Sequence, residues 1–266
     1  MYYDSHIHST HSSDGLSVMG EYTAAVDEDR ISGIGFAEHL DLMPECGSYG
    51  CLEPLVYMDE VKALRNRGYE FFAGCEIDYN KKAQQDILDH LGKFHYDFTM
   101  CSIHMIDGFS ISNRVYIPSI NDMDKLIHII ERYYEEFKYS LEVDAFDVIG
   151  HVGVFKRYLG DEYYRHEGLQ RLVKEAEYEI ALISAKSGKI IEVNTSGLYS
   201  PLGETLPGKA FLELYYSFGG RNVCVGSDAH CCKDAGRGIK EAHVLLKDIG
   251  FKHIILPWDR KNPVKL

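Results

Sequence analysis

The 266-residue sequence has few of the features that would divide or anchor it. It contains only seven prolines, no Gly/Ser-rich or Pro-rich linker, no low-complexity run and no repeat of solenoid period, so nothing marks a domain boundary. Its apolar runs reach only the length of a strand, and the opening "MYYDSHIH" has neither the basic start nor the apolar stretch of a signal peptide. We therefore expect a single cytoplasmic domain over residues 1–266 that does not enter a membrane.

Cysteine usage and charge exclude two further classes. The seven cysteines are odd in number and form no CxxC pair, which is typical of reduced thiols rather than of a disulfide framework. The 28 Lys and Arg are outnumbered by 41 Asp and Glu, and the formal net charge of −13 argues against a general affinity for nucleic acid. No pattern indicates an obligate protein partner, and a concentrated cation site would neutralise part of the acidic excess.

Short apolar segments alternate with longer helical patterns. The seven strand candidates are residues 2–8, 33–39, 70–77, 97–104, 146–151, 189–194 and 222–228. The helical patterns between and after them are 20–31, 55–67, 83–92, 122–141, 168–187, 207–218 and 238–249. Repeated strand–helix units predict parallel strands with right-handed crossovers. A closed β/α barrel and an open doubly wound sheet both fit this periodicity.

Polar residues at the strand ends favour the barrel. Six of the seven strand candidates end in a potential metal ligand; the exception is the candidate 189–194, which ends in Asn194. In chain order the ligands are His6 and His8, His39, Glu76, His104, His151, and Asp228 with His230. The carboxyl ends of all strands meet at one mouth in a closed barrel, whereas the edge strands of an open sheet lie too far apart to share a site. We therefore expect a barrel of seven units.

These residue types at these positions predict a metal cluster. His6 and His8 are two apart and point to the same face of a strand. Any one histidine at a strand end is an ordinary structural residue, but a whole set of imidazoles and carboxylates on apolar strands is costly to bury without a partner such as a divalent cation. Six histidines together with Asp and Glu indicate more than one ion, and imidazole nitrogen suits Zn, Fe or Mn.

The ordered series "DSHIHSTHSSD", "AEH", "GCEID", "CSIH", "GH" and "GSDAH" resembles the PHP (polymerase and histidinol phosphatase) superfamily over nearly the whole chain. The resemblance implies a distorted (β/α)7, TIM-like barrel that holds two or three divalent transition metals.

Carried over residue by residue, the resemblance implies three ligand sets. One metal takes His6, His8, Glu76 and Asp228; Glu76 bridges to a second metal with His104 and His151; a third takes Asp14, His39 and His230. Many relatives have a histidine at the position of Asp14, and the "SSDG" around it is also ordinary turn chemistry. His11 matches no ligand position, and Asp4 is expected to orient a histidine.

Close cations in an open mouth point to phosphoester hydrolysis by a metal-bridging hydroxide. The sequence has no G-x-S-x-G, no P-loop and no cysteine-phosphatase signature, and Cys231 and Cys232 match neither a ligand nor a nucleophile position. The leaving group needs a proton, for which the candidates are His230, Asp228 and a metal-bound water.

Within the superfamily the chain most resembles the histidinol-phosphate phosphatase branch, which implies hydrolysis of L-histidinol phosphate in histidine biosynthesis. "HVGVFKRY" offers Lys156 and Arg157 to the phosphate, and Arg157 matches an arginine of that branch. The expected substrate contacts are His39, Lys156, Arg157, Asn194, Ser196 and Tyr199, with Arg157 also expected in catalysis. One departure stands out, because relatives commonly carry an arginine where this sequence has Tyr199.

Two alternatives stay open at this point. A PHP phosphoesterase acting on another small ester, such as a nucleotide 3′-phosphate or phosphotyrosine, is favoured by Tyr199. A non-catalytic metal-binding module is a different class of protein, and the intact set of ligand residues argues against it.

Overall fold

A parallel barrel of seven strands forms the centre of the molecule. The computed structural model describes residues 1–112, 117, 122–160 and 165–266. The strands in chain order are β1 (Tyr3–Ile7), β2 (Gly33–Leu40), β3 (Phe71–Asp78), β4 (Phe98–Ser102), β5 (Met105–Ile106), β6 (Phe109–Ser110), β7 (Val148–Ile149), β8 (Ile190–Asn194), β9 (Val223–Gly226), β10 (His253–Leu256) and β11 (Asp259–Lys265). The sheet order is β1-β2-β3-β4-β7-β8-β9, and every neighbouring pair in it is parallel.

The two ends of this sheet meet and close the barrel. Ile7 at the end of β1 forms a parallel bridge with Ala229 just beyond β9. The backbone N–H of His8 donates to the carbonyl of Ala229 at 2.9 Å, and that of Asp228 donates to the carbonyl of His6 at 2.8 Å. The prediction of a seven-stranded β/α barrel is therefore confirmed.

Helices surround the barrel where the periodicity predicts them. They are α1 (Thr23–Asp27), α2 (Pro54–Asn66), α3 (Gln84–Leu91), α4 (Met123–Leu141), α5 (Glu167–Ser187), α6 (Lys209–Ser217) and α7 (Ile239–Ile249). α4 begins where Asp122 caps it by accepting the backbone N–H of Lys125 at 3.2 Å. α1 is shorter than its 20–31 pattern, because Asp29 adopts the left-handed conformation with φ of 56°. No helix in the described part of the chain has the length and apolarity needed to cross a bilayer.

A C-terminal hairpin of β10 and β11 plugs the amino-terminal end of the barrel, and the sequence did not predict it. Trp258 in its turn stacks on Phe72, with ring centroids 4.5 Å apart, and packs against Phe98 inside the barrel. The contact needs glycine at two strand positions: a Cβ on Gly35 would lie 2.4 Å from Trp258, and one on Gly74 would lie 2.2 Å from Phe98. With this end filled by apolar side chains, the polar strand ends lie at the opposite mouth.

Candidate metal centre

The carboxyl ends of the strands bring histidines together around one buried carboxylate. Glu76, near the end of β3, is 1% exposed and has ring nitrogens of five histidines within 3.5 Å of its carboxylate oxygens. The nearest are Nε2 of His151 at 2.6 Å and Nδ1 of His39 at 3.0 Å; His6, His8 and His104 each lie at 3.5 Å. The histidines come from four strand ends, those of β1, β2, β4 and β7, and Glu76 comes from a fifth, β3; closure of the barrel brings Asp228, after β9, to the same place.

The donor atoms fall into four overlapping groups, each within 4.8 Å. The groups are His8, His39 and His230; His6, His8 and Asp228; His6, Glu76 and His151; and His39, Glu76 and His104. Eight of the nine side chains predicted as ligands are therefore in donor groups. The ninth, Asp14, lies at the rim, with carboxylate oxygens 3.5 Å from Nε2 of His39 and 3.2 Å from Nε2 of His230.

Unpartnered atoms at the centre of the cluster fit a cation. Oε2 of Glu76 and Nδ1 of His39 are buried and lie 3.0 Å apart, but neither has a well-aligned hydrogen bond among the described residues. Nε2 of His6 and Nε2 of His8 face each other at 2.9 Å, a distance at which two imidazoles share one proton or direct both lone pairs at an ion. Orphaned buried polar atoms are costly and rare, and a divalent cation at their focus would satisfy all of them.

Neighbouring groups fix which nitrogen of His6 and of His8 faces the centre. Nδ1 of His6 lies 2.6 Å from Glu192, and Nδ1 of His8 lies 3.2 Å from the hydroxyl of Ser12, which in turn donates to Glu38. With Nδ1 held as the donor, Nε2 is left free to act as a ligand. The expectation that Asp4 orients a histidine does not hold for the ring: its carboxylate accepts the backbone N–H groups of His6, Ser227 and Gly236, and so fixes backbone rather than an imidazole.

Electrostatics keep the central carboxylates ionised. Burial opposes ionisation of Glu76, but His6 and His104 outweigh it and hold the pKa of this carboxyl well below its ordinary value. Burial likewise opposes ionisation of Asp228, and its neighbours hold its pKa low as well. Asp228 also adopts the left-handed conformation, with φ of 58°, in the loop after β9. Both carboxylates are thus in the state that binds cations.

A cavity of about 680 Å³ opens beside the cluster and contains Arg157. Nη1 of Arg157 lies 2.5 Å from Oγ of Ser196 and 3.2 Å from Oδ2 of Asp228, while its Nε is buried without a partner among the described residues. Ser196 is held in turn by Asn194, whose Oδ1 accepts from both its N–H and its hydroxyl. The guanidinium is therefore fixed next to the cluster, with donor capacity to spare for an anion.

The same cavity is lined by a second guanidinium that the sequence did not reveal. Arg237 lies over the ring of Tyr199 at 3.6 Å and beside Asp234 at 3.4 Å. Tyr199 occupies the position at which relatives commonly carry an arginine. The positive charge absent at 199 is thus supplied on the same wall by a residue 38 positions further along the chain.

Four other residues singled out by the sequence lie outside the cluster. Nζ of Lys156 contacts Oε1 of Glu177 at 2.5 Å, in a groove against α5 and α6 rather than in the cavity of Arg157. His11 lies 2.8 Å from Glu60. Cys231 is a free thiol near Ser17, and, like Cys232, it belongs to none of the donor groups found among the described residues.

Comparisons with known proteins agree with this architecture. The family described as "PHP domain" matches residues 4–196. A "Probable histidinol-phosphatase" of Thermotoga maritima is 26% identical over 99% of both chains, and a protein of the same description from Deinococcus radiodurans is 22% identical over 98% of both. The crystal structure of histidinol phosphate phosphatase from Lactococcus lactis, complexed with Zn, L-histidinol and phosphate, aligns with a TM-score of 0.82 at 21% identity and covers 95% of both chains. The donor cluster and these likenesses support a centre that binds divalent metal.

Proposed function

The chain belongs to the PHP domain family, and from that premise we propose that it is a metal-dependent phosphomonoesterase that hydrolyses L-histidinol phosphate to L-histidinol and phosphate. The observation that carries the proposal is the juxtaposition of the Glu76-centred donor cluster with the fixed guanidinium of Arg157. The full-length likeness to proteins named histidinol-phosphatase supports the choice of substrate. We also propose that residues 1–266 act as one domain; the cytoplasmic location stays a prediction from the sequence.

We assign the metals by the three ligand sets that the family resemblance implies, which overlap the donor groups of the structure without matching them one for one. Glu76 would bridge two ions, with His6, His8 and Asp228 holding one and His104 and His151 the other, while Asp14, His39 and His230 would hold a third. The nitrogen-rich donor set suits Zn, Mn or Fe. When bound, such ions polarise a phosphoryl oxygen and lower the pKa of water.

The protein's own part in the reaction is to orient the phosphate. Arg157 presents a planar guanidinium to the phosphoryl oxygens, and its position is set through Ser196 and Asn194. Asn194 also donates to Glu192 at 3.2 Å, so one hydrogen-bonded chain links the carboxylate behind His6 to the phosphate arginine. Substrate binding and ligand geometry are therefore held by the same network.

His230 is the better placed of the two side chains that could supply the leaving-group proton. Its Nδ1–H donates to the carbonyl of Asp228 at 2.9 Å, which leaves Nε2, 3.2 Å from the carboxylate of Asp14, as the nitrogen that faces the mouth. The carboxylate of Asp228 instead accepts a hydrogen bond from Arg157 and stays ionised. Nε2 of His230 thus serves one role at a time, as a ligand or as a proton carrier.

Replacing Glu192 tests how the ligands are oriented. Its Oε1 faces Nδ1 of His6 at 2.6 Å, and its Oε2 accepts the backbone N–H of His151 at 2.7 Å. The amide of Glu192→Gln would set an NH2 group against one of these two donors, or drive His6 into the tautomer that carries its proton on Nε2. We expect metal affinity to fall ~10- to 100-fold, measured by metal titration of the chelator-treated protein.

Glu136→Gln is the matched control, since Glu136 is equally buried and also accepts a backbone N–H, that of Lys81 at 2.9 Å, but lies outside the cluster. Unchanged metal affinity in Glu192→Gln, or an equal loss in Glu136→Gln, would contradict the orienting role.

The family resemblance leads us to expect an arginine at position 199, and the tyrosine found there is the reason to consider a second class of substrate. A PHP phosphoesterase acting on a nucleotide 3′-phosphate or on phosphotyrosine uses the same metal chemistry. Arg237 on the face of Tyr199 supplies positive charge to the same cavity, so the departure at 199 does not leave the cavity short of a cation for any of these phosphates. A non-catalytic role would leave the buried, partnerless guanidinium nitrogen of Arg157 unexplained.

Steady-state kinetics on a substrate panel tests the proposal. The metal-loaded protein is assayed with L-histidinol phosphate, a nucleoside 3′-phosphate, phosphotyrosine and p-nitrophenyl phosphate. We expect kcat/KM for histidinol phosphate of ~10⁴ M⁻¹s⁻¹ or more and at least tenfold above the others. A higher kcat/KM for another ester selects the alternative, and no turnover of any ester rejects the phosphatase.

A further inference from the structure

A second cavity, of about 350 Å³, borders the metal cluster on the side of β2, β3 and β4. Asp41, Glu45 and Asp78 line it together with Ser48 and two histidines of the cluster, His39 and His104. Among the described residues that line it there is no lysine or arginine. The cavity of Arg157 borders the cluster from the side of β8 and β9, and of the two cavities only that one is lined by guanidinium groups.

One carboxylate oxygen of the acidic cavity is buried without a partner. Asp41 is 8% exposed, and its Oδ1 has no hydrogen bond within the described part of the chain. Asp78 differs, because it accepts the backbone N–H of His104 at 2.7 Å and the thiol of Cys46 at 3.4 Å, and so has a structural use. An unsatisfied buried carboxylate oxygen is costly, and its position in a cavity wall points to a donor that arrives with a ligand.

The geometry does not suit a further metal ion. The groups of three donor atoms within 4.8 Å found among the described residues include none of Asp41, Glu45 and Asp78. A single free carboxylate oxygen in an acidic cavity matches an organic cation, since an ammonium group brings its own N–H donors. The volume lies within the ~300–1,000 Å³ typical of small-molecule sites.

We propose that this acidic cavity is the leaving-group subsite, and that Asp41 determines specificity by accepting a hydrogen bond from the protonated amine of the substrate alcohol. The inference rests on the proposed function, because L-histidinol phosphate carries an amine two carbons from its ester oxygen. The phosphate lies over the metals with Arg157 on one side, and the amine points to Asp41 on the other. Electrostatic complementarity therefore sets the direction in which the substrate binds.

Two substrates that differ only in the amine test this inference. Wild-type protein and Asp41→Asn, both metal-loaded, are assayed with L-histidinol phosphate and with 3-(imidazol-4-yl)propyl phosphate, which lacks the amine. We expect the wild type to prefer histidinol phosphate ~10- to 100-fold in kcat/KM, and Asp41→Asn to lose most of that preference while turning over the amine-free ester normally. Metal content, measured in parallel, stays at the wild-type value.

Asp107→Asn is the matched control. Asp107 lies in the turn between β5 and β6, next to the cavity-lining Gly108, but its carboxylate faces Arg132 of α4 at 3.9 Å. Its left-handed φ of 48° is one that asparagine tolerates. The same loss of charge should leave the amine preference intact. A preference kept in Asp41→Asn, or an equal fall for both esters accompanied by loss of metal, overturns the inference.

Calorimetry with L-histidinol separates this inference from the proposed function. We expect the wild type to bind the alcohol at least ~10-fold more tightly than Asp41→Asn, whether or not any ester is hydrolysed. If the protein turns over no phosphoester, the proposed function fails and this measurement alone decides the role of the cavity. If it hydrolyses both esters equally well and histidinol binds both proteins alike, the phosphatase stands and the subsite is rejected.

Discussion

Glu76→Gln is expected to abolish phosphatase activity and to remove most of the bound metal. This carboxylate lies within 3.5 Å of ring nitrogens from five histidines, and one of its oxygens has no other partner among the described residues. The neutral amide withdraws the charge proposed to bridge two cations and sets an NH2 group where a ligand oxygen stood. We expect kcat/KM to fall by at least ~10³-fold, because both the transition-state charge and the nucleophile depend on the cations.

Metal analysis of protein purified without chelator and then supplied with Mn or Zn accompanies the kinetics. We expect two or three ions per wild-type chain and at most one in Glu76→Gln, with an unchanged circular dichroism spectrum. Glu60→Gln is the control, since Glu60 also pairs with a histidine, His11 at 2.8 Å, but lies outside the cluster. Retained turnover or a full complement of metal in Glu76→Gln would contradict the bridging role.

The sequence predicts the barrel and the donor cluster for the same physical reason. In parallel β/α units every strand ends at the same mouth, so ligands at the ends of six of the seven strand candidates imply one site even though His6 and His230 are 224 positions apart. The C-terminal hairpin escapes prediction, because β11 is a largely exposed segment without apolar alternation and is held by the packing of Trp258. That contact depends on the tertiary fold.

The sequence analysis missed site residues whose role depends on a contact with a residue distant in sequence. Glu192 lies in the middle of the apolar segment "KIIEVN", and a charged residue inside a buried strand is itself a signal that it has a partner. The sequence does not say that this partner is His6. Arg237 comes just before α7 in an ordinary glycine-rich turn, and only the folded chain brings it onto Tyr199. Residues adjacent in sequence can also make contacts in different places: Lys156 pairs with Glu177, whereas Arg157 contacts Ser196 in the cavity beside the cluster.

Arg157→Met is expected to lower kcat/KM for histidinol phosphate by ~10²- to 10³-fold while leaving the metals in place. Methionine keeps much of the buried volume of the side chain but removes every donor that could reach a phosphoryl oxygen. Inhibition by inorganic phosphate should weaken in parallel, because the product makes the same contact. Arg157→Lys should recover only part of the loss, since one ammonium cannot reproduce a planar fork held between Ser196 and Asp228.

Lys156→Met is the discriminating control, because residues 156 and 157 belong to one 3₁₀ turn, Val154–Tyr158, yet their side chains leave it in different directions. Nζ of Lys156 contacts Glu177 on α5, whereas Nη1 of Arg157 contacts the metal-site carboxylate of Asp228. A diffuse basic patch would lose phosphate affinity in both variants; a fixed guanidinium loses it in one. Equal phosphate inhibition of wild type and Arg157→Met would show that Arg157 does not bind the phosphate. Phosphate inhibition weakened in Arg157→Met but not in Lys156→Met would show that Arg157 binds the anion, whereas Lys156 serves in the ion pair that anchors this turn to α5.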